Sequence, residues 1–234
     1  MKKINKINFE NIAISIAYNI NSCIGLLYEE HYCQRIKGTL TASFYGEDGK
    51  IIKTTEIGQL KGTKVLVWKA INNGVDIFDV FDTERNLLEI GEKIWDFEGD
   101  NFLSQLDDFY GGVIEFGDVL VLDRIEIISE YRGHDLGKYW IKNFYNNFCS
   151  ETGIFVLKNF PLQHENNIPD SEKKEWQDKM EYHKMGQDFD ASDKKLFNYY
   201  KRLGFKKIPS IDDLLFINPI IKNKLFSKIP IDVE

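Results

Sequence analysis

A strand–turn–helix pattern at residues 125–138 has the composition of a phosphate-binding turn. Apolar strand residues lead through a turn at Gly133 into a predicted helix that contains Gly137. The first N–H groups of a helix lack partners and carry a partial positive charge, so they bind phosphates. Arg132 and Lys138 add positive charge on either side. Because strand–turn–helix connections with one glycine are common, this segment alone leaves an ordinary structural turn equally open.

A second segment, residues 197–205, places two tyrosines ahead of a glycine and a phenylalanine. It reads Y-Y-x-x-x-G-F from Tyr199, and the first segment reads I-x-S-x-x-R-G from Ile127. Together and in this order, the two patterns resemble the signatures of the GNAT superfamily of N-acetyltransferases. The resemblance covers about residues 119–217 and is poor over the first 80 residues.

The resemblance implies that acetyl-CoA is the co-substrate and that an amine attacks its thioester directly in a ternary complex. Backbone N–H groups of the turn would hold the pyrophosphate, and a strand edge would pair with the pantetheine arm where the central strands splay apart. Tyr200 falls where the family places the tyrosine that protonates the departing thiolate, although core packing with its helix neighbours is the alternative. The implied cofactor-binding residues are Ile125, Ile127, Arg132, Gly133, His134, Asp135, Leu136, Gly137 and Lys138.

Asp135 departs from the family pattern, which usually has a glycine at this position. We expect its carboxylate to cap the helix that begins at Leu136. A carboxylate there would occupy N–H groups and repel a phosphate. Three outcomes follow: Asp135 rotates outward, coenzyme A binds weakly, or the site is degenerate.

An ammonium acceptor must lose a proton before it attacks, so the reaction needs a base. Glu126 is our candidate, with Asp123 as its rival on the same predicted strand. Strand alternation places these two on opposite faces, so at most one would face the cleft. Glu115 and Asp188 are outside candidates, and a solvated or ion-paired carboxylate is the alternative for all four.

Hydrophobic periodicity predicts the elements that position these residues. Asp82 and Ser192 are expected to cap helices, and the stretch 172–182 reads as a polar helix. The predicted strands are 38–45, 50–57, 65–71, 113–128, 154–157, a short one near 205, and 214–217; the other predicted helices are 82–95, 135–152 and 192–203.

The expected fold class is α/β: a GNAT-type mixed sheet, splayed at its centre, with helices on both faces and a strand-rich N-terminal embellishment. We expect a single domain over residues 1–234. Its divisions would be a divergent strand-rich part (1–80), an acyl-CoA-binding core (81–220) and, within that core, a charged insertion (164–190).

Composition narrows the classes of partner. A formal net charge of -7 argues against nucleic acid, and no apolar run is long enough for a membrane span. Three scattered cysteines and the lack of a signal peptide favour a cytoplasmic protein, and no metal site is expected. The acceptor would be a small-molecule or protein amine, and a homodimer is left open. The rival functions are a non-catalytic acyl-CoA-binding sensor or interaction module, and an RNA-directed protein.

Overall fold

The fold is built around one seven-stranded sheet. The computed structural model describes residues 10–21, 28–106, 117–165 and 174–230, and the sheet has the order β1-β2-β3-β6-β7-β9-β8. Each neighbouring pair of these strands is antiparallel except β6 and β7, which are parallel. The strands are β1 (Ile12–Asn21), β2 (Cys33–Tyr45), β3 (Ile51–Val65), β6 (Asp118–Ile127), β7 (Thr152–Lys158), β8 (Lys206–Ile208) and β9 (Ile211–Ile217); β4 (Trp95–Asp96) and β5 (Asn101–Phe102) form a separate ribbon.

Helices cover both faces of the sheet. On one face, α1 (Val67–Asn72), α2 (Ile77–Phe81) and α3 (Arg85–Ile94) enclose a core that includes Val119 and Val121. On the other face, α4 (Leu136–Phe148) and α6 (Phe189–Leu203) enclose a second core that includes Leu120 and Leu122. The short α5 (Lys174–Met180) adds Met180 to the second core. The fold is therefore mixed α/β, as the sequence predicts.

Close approach between α4 and the sheet depends on a glycine in β3. A Cβ atom on Gly62 would lie 2.5 Å from Cζ of Phe144 and 2.7 Å from the carbonyl oxygen of Val121. Such distances are impossible for a real side chain, so the ring of Phe144 occupies the space that a larger residue would fill. This packing fixes α4 directly over β3 and β6.

The strand-rich character of the first 80 residues is observed, but these strands are not an appendage. β1, β2 and β3 continue the sheet that contains β6 and β7, because β3 pairs with β6 from Gly58 to Val65. A tight turn joins β2 to β3, with the N–H of Gly46 donating to the carbonyl of Lys50 at 2.9 Å. Half of the central sheet thus comes from the part of the chain that resembles the family least.

One predicted strand is a helix. The stretch 65–71 was expected to be extended, but β3 ends at Val65 and α1 begins at Val67. A short apolar run does not distinguish a strand from a buried helix by periodicity alone. Val67 and Ala70, three residues apart, both point into the first core.

Several helix boundaries also differ from prediction. α3 begins after Glu84, while Asp82 lies at the C-terminal end of α2, a helix that the sequence analysis did not predict. α6 begins before Ser192, because the side chain of Asp188 accepts from the N–H of Ala191 at 2.8 Å. Asp188 is therefore a helix cap, which accounts for one of the outside candidates for a base. α4 ends at Phe148, short of the predicted residue 152.

None of the helices in the described part of the chain is long and apolar enough to cross a membrane.

Candidate functional site

The central strand β6 contains a bulge at Asp123. Lys61 of β3 pairs with Arg124, and the next residue, Gly62, pairs with Leu122, so Asp123 is the extra residue. The bulge shifts the alternation of the strand: Val121 belongs to the first core, whereas Ile125 packs against the second. The partners of the two candidate bases differ accordingly: Asp123 bonds to Asn86 of α3, whereas Glu126 bonds to Trp176 and Tyr182, which pack against the second core.

β6 loses its second neighbour at this bulge. It pairs with β7 from Asp118 to Leu122, and beyond that point only its pairing with β3 continues, as far as Ile127. β7 meanwhile pairs with β9 up to Lys158. The two parallel strands diverge after Leu122 and leave one edge of residues 123–127 without a strand partner in the part of the chain that the structure describes.

The turn after β6 places the N-terminus of α4 next to the unpaired edge of residues 123–127. Gly133 and Asp135 have positive φ angles of 84° and 63°, which reverse the chain direction before the helix. The N–H groups of Leu136 and Gly137 have no acceptor among the described residues, as expected for the first turn of a helix. A Cβ atom on Gly137 would lie 3.7 Å from Cδ1 of Ile127. Open backbone donors and the end of β6 are therefore neighbours.

Asp135 occupies the N-cap position but does not cap. Its left-handed backbone conformation directs the carboxylate away from the helix, no capping hydrogen bond forms, and 64% of the side chain is exposed. The carboxylate instead accepts from Nζ of Lys138 at 2.7 Å. The expected capping bond is absent, and the outward orientation is the alternative that the geometry supports. The pair with Asp135 also places the charge of Lys138 at the mouth of the turn.

Arg132 does not point into the turn. Its Nε donates to the carbonyl of Ile127 at 2.7 Å, and one of its terminal nitrogens donates to the carbonyl of Met180 at 2.7 Å. Burial lowers the pKa of this guanidinium. Arg132 therefore joins the end of β6 to the end of α5, and its predicted contact with phosphate is not present in this arrangement.

Tyr199, rather than Tyr200, has its hydroxyl beside Gly137, in the first turn of α4. A Cβ atom on Gly137 would lie 3.1 Å from the Tyr199 hydroxyl oxygen. The pKa of Tyr199 is raised by burial and further by the neighbouring Tyr200 and Asp135. The sequence did not indicate this contact, because helical spacing alone does not show how α6 is rotated against α4.

Tyr200 is buried between α6 and the sheet. Only 7% of the residue is exposed, and its ring lies 5.7 Å from that of Phe205 and 5.3 Å from that of Tyr199. Its hydroxyl has no hydrogen-bond partner among the described residues. Burial raises the pKa of Tyr200 to about 12, so the phenol is protonated at neutral pH. The packing that the sequence predicted as an alternative role is present.

Glu126 lies in a polar cluster where α5 and the turn after it meet β6. Its carboxylate accepts from the Tyr182 hydroxyl at 2.5 Å, from Arg124 at 3.1 Å and from Nε1 of Trp176 at 3.3 Å. Arg124 also forms a salt bridge with Glu165. With three donors on one carboxylate that is 6% exposed, a substrate proton would have to displace an existing bond to reach Glu126.

Asp123 has a different environment on the α3 side of the sheet. It accepts from Nδ2 of Asn86 at 2.8 Å and from the hydroxyl of Thr63 at 3.3 Å. Burial, reinforced by the charge of Glu84, raises its pKa to about 7. A carboxyl with such a pKa is matched to proton transfer at neutral pH. No sequence signal identified this pKa, because it depends on the bulge and on α3 packing against it.

The structure brings most of the implied cofactor residues together and separates the implied catalytic pair from one another. Ile127, Gly137 and the turn between them are adjacent, while Glu126 is enclosed by the α5 segment and Tyr200 lies under α6. Glu115 lies outside the described residues. No group of three His, Cys, Asp or Glu side chains suited to a metal ion occurs within the ranges that the structure describes. Comparison with protein-family models, curated proteins and solved structures found no match.

Proposed function

We propose that the protein transfers an acyl group, acetyl in the simplest case, from coenzyme A to an amine, with a GNAT-type arrangement of the central strands. The observation that carries this proposal is the divergence of β6 from β7 after Leu122, directly beside the open N-terminus of α4. A strand edge offers hydrogen bonds to an extended amide chain such as pantetheine. Helix N–H groups offer bonds to a pyrophosphate.

Two features at the turn support phosphate binding. The carboxylate of Asp135 leaves the N–H groups of Leu136 and Gly137 unoccupied, and Lys138 stands beside the turn. The glycine at 137 lets a ligand approach the backbone more closely than a side chain would permit. The position of the Tyr199 hydroxyl above Gly137 adds a hydrogen-bond donor that the family resemblance did not imply.

For the chemical step, we propose that Asp123 is a better base than Glu126. The carboxylate of Glu126 is already bonded by three donors, whereas the pKa of Asp123, about 7, suits proton removal from an ammonium near neutral pH. Tyr200 would donate a hydrogen bond to the leaving thiolate. Because the pKa of Tyr200 is about 12, full transfer of its proton to the thiolate is unfavourable. Tyr200 would therefore stabilise the thiolate by donating a hydrogen bond.

A non-catalytic acyl-CoA-binding role is the second candidate. The raised pKa of Tyr200 and the bonds that hold Tyr182 and Trp176 on Glu126 both favour it, because they leave the implied acid weak and the implied base enclosed. This candidate shares the cofactor site and differs only in turnover.

The experiment compares acetyl-CoA binding by the parent protein, Gly137→Asp and Gly137→Asn. The two variants have the same shape, so any strain against Tyr199 is shared, and only the Asp variant repels a phosphate. We expect acetyl-CoA to raise the melting temperature of the parent most, that of the Asn variant less because its side chain hinders close approach, and that of the Asp variant least. No shift for the parent at millimolar acetyl-CoA would refute the proposal. Binding without thiol release across a panel of amines would favour the non-catalytic role.

A further inference from the structure

Positive charge is concentrated near the C-terminal end of an otherwise acidic chain. Residues 194–228 contain nine of the 30 Lys and Arg residues but only two of the 37 Asp and Glu residues. Both acidic residues are paired: Asp212 with Lys207 at 2.9 Å, and Asp213 with Lys93 at 2.7 Å.

The fold collects this charge on one continuous surface, formed by α6, β8 and the loop at 218–225. Two adjoining grooves, of about 800 Å³ and 640 Å³, share Lys201 and Leu225. We call this area the basic surface. The basic side chains that line it are Lys194, Lys195, Lys201, Arg202, Lys206, Lys207, Lys222 and Lys224.

Aliphatic side chains are exposed within the same area. Ile220, Ile221 and Leu225 are 53%, 50% and 52% exposed, and Lys222 and Lys224 lie between Ile221 and Leu225 along the loop. The loop is held in place from below, because Phe226 is buried against Tyr145 at a ring distance of 4.9 Å and Asn223 donates to the carbonyl of Gly204 at 2.7 Å. The exposed aliphatic groups therefore belong to a fixed loop, and their contact with water is unfavourable.

We propose that the basic surface docks on an anionic phospholipid membrane. Lysines that lie near a negatively charged bilayer each contribute about 1 kcal/mol, and aliphatic groups between them enter the interfacial region. Lysine stems also bury their methylene groups at such an interface while the ammonium stays in water. This inference does not depend on the proposed acyl transfer.

A bilayer fits this surface better than a nucleic acid does. The phosphates of a nucleic acid would satisfy the lysines, but its sugar–phosphate backbone would not bury three aliphatic side chains. Proteins that hold single strands combine positive charge with exposed aromatic rings, whereas the exposed apolar groups here are aliphatic. The expectation of no membrane partner considered only the length of apolar runs, and it did not consider the uneven placement of charge.

The test is co-sedimentation with vesicles. We expect binding to vesicles of phosphatidylcholine mixed with phosphatidylserine, little binding to phosphatidylcholine alone, and a loss of binding as salt is raised. Lys222→Gln with Lys224→Gln should weaken binding by about fivefold for each lysine removed. Ile221→Ser with Leu225→Ser should also weaken binding while leaving its salt dependence largely unchanged.

A matched control uses another exposed isoleucine–lysine pair on β3. Ile52 is 72% exposed and Lys53 is its neighbour, far from the basic surface in the sheet order. Ile52→Ser with Lys53→Gln should leave vesicle binding unchanged, and all variants should keep the parent melting temperature because these side chains are on the surface. Equal binding to neutral vesicles, equal loss in the control, or displacement from vesicles by an oligonucleotide at the same salt would each overturn the proposal.

Discussion

The two halves of β6 share one neighbouring strand, β3, but differ in their second neighbour and in the polarity of their side chains. From Val119 to Leu122 the strand lies between β3 and β7, and its side chains are apolar and buried. From Asp123 onward it has one strand neighbour and contains Arg124 and Glu126. A bulge separates the two halves. Apart from Asp118 at the start of the strand, the polar residues of β6 lie where the strand has lost a partner and other elements supply hydrogen bonds.

The largest expected effect concerns Tyr200, the implied proton donor, which is buried under α6. If its hydroxyl stabilises the leaving thiolate, Tyr200→Phe should keep the fold and lower turnover by about 10²–10⁴-fold with little change in acetyl-CoA affinity. Steady-state kinetics on one acceptor amine measures this. Tyr199→Phe is the matched variant, since the hydroxyl of Tyr199 lies beside Gly137. We expect this variant to weaken acetyl-CoA binding more than it lowers turnover. If Tyr200→Phe is fully active, the role of Tyr200 is core packing and not catalysis.

The two halves of the strand should also differ in what they contribute to stability. Leu120→Ala removes a fully buried side chain and should lower the free energy of unfolding by about 2–5 kcal/mol. Ile125→Ala, in the diverging half, should cost about half as much because Ile125 is only partly buried. Urea unfolding of both variants gives the comparison. Equal losses would show that the second half is packed as tightly as the first.

Asp123 should make stability depend on pH. Its folded-state pKa of about 7 is above the ordinary value of 3.8, so its protonated form stabilises the fold. That contribution is complete below about pH 4 and is lost as the pH rises through about 7. Asp123→Asn keeps acceptors and donors for Asn86 and Thr63, and should be more stable than the parent at pH 8 by about 4 kcal/mol relative to the difference at pH 4. If the unfolding free energies of the parent and of Asp123→Asn change in parallel with pH, the pKa of Asp123 is not raised in the folded state.

The same variant tests the choice of base. If Asp123 accepts the proton of the acceptor amine, Asp123→Asn should abolish the rise in kcat/KM around pH 7, whereas Glu126→Gln should leave that rise in place. A rise that survives in Asp123→Asn and disappears in Glu126→Gln would reverse the assignment.

The smallest expected effect is at Asp135. Its carboxylate forms no capping bond and its backbone is left-handed, so Asp135→Gly loses no cap and gains a residue suited to that conformation. We expect acetyl-CoA affinity to rise severalfold, by about 1 kcal/mol or less, because one nearby negative charge is removed. Calorimetric titration measures the affinity. Weaker binding in Asp135→Gly would show that the pair with Lys138 holds the turn in its binding form.

Much of the frame around β6 follows from residue patterns. The mixed α/β class, the strands at 38–45 and 154–157, and the helices that contain Trp140 and Tyr200 were predicted because their hydrophobic periods are regular. The stretch 65–71 failed because an apolar run of that length has no decisive period. The full length of β3 was missed: the strand continues to Val65, beyond the predicted end at residue 57. A long paired strand with polar residues does not show clear hydrophobic alternation.

The candidate site was harder to predict than the frame. Residues 125–138 were placed correctly as strand, turn and helix, but the side-chain roles were not. Arg132 bonds to Met180, forty-eight residues away, and Glu126 to Tyr182; neither partner follows from local sequence. The bulge at Asp123 has no glycine or proline within β6 to mark it, and it shifts the alternation of the side chains that follow.

The central claim is that the diverging half of β6 and the start of α4 bind acyl-CoA, and amide hydrogen exchange tests it most directly. Adding acetyl-CoA should slow exchange at residues 123–127 and 133–138. Residues 118–122, already paired on both sides, should be unchanged and act as an internal reference. If exchange at 123–127 and 133–138 is the same with and without saturating acetyl-CoA, the assignment of this site is wrong.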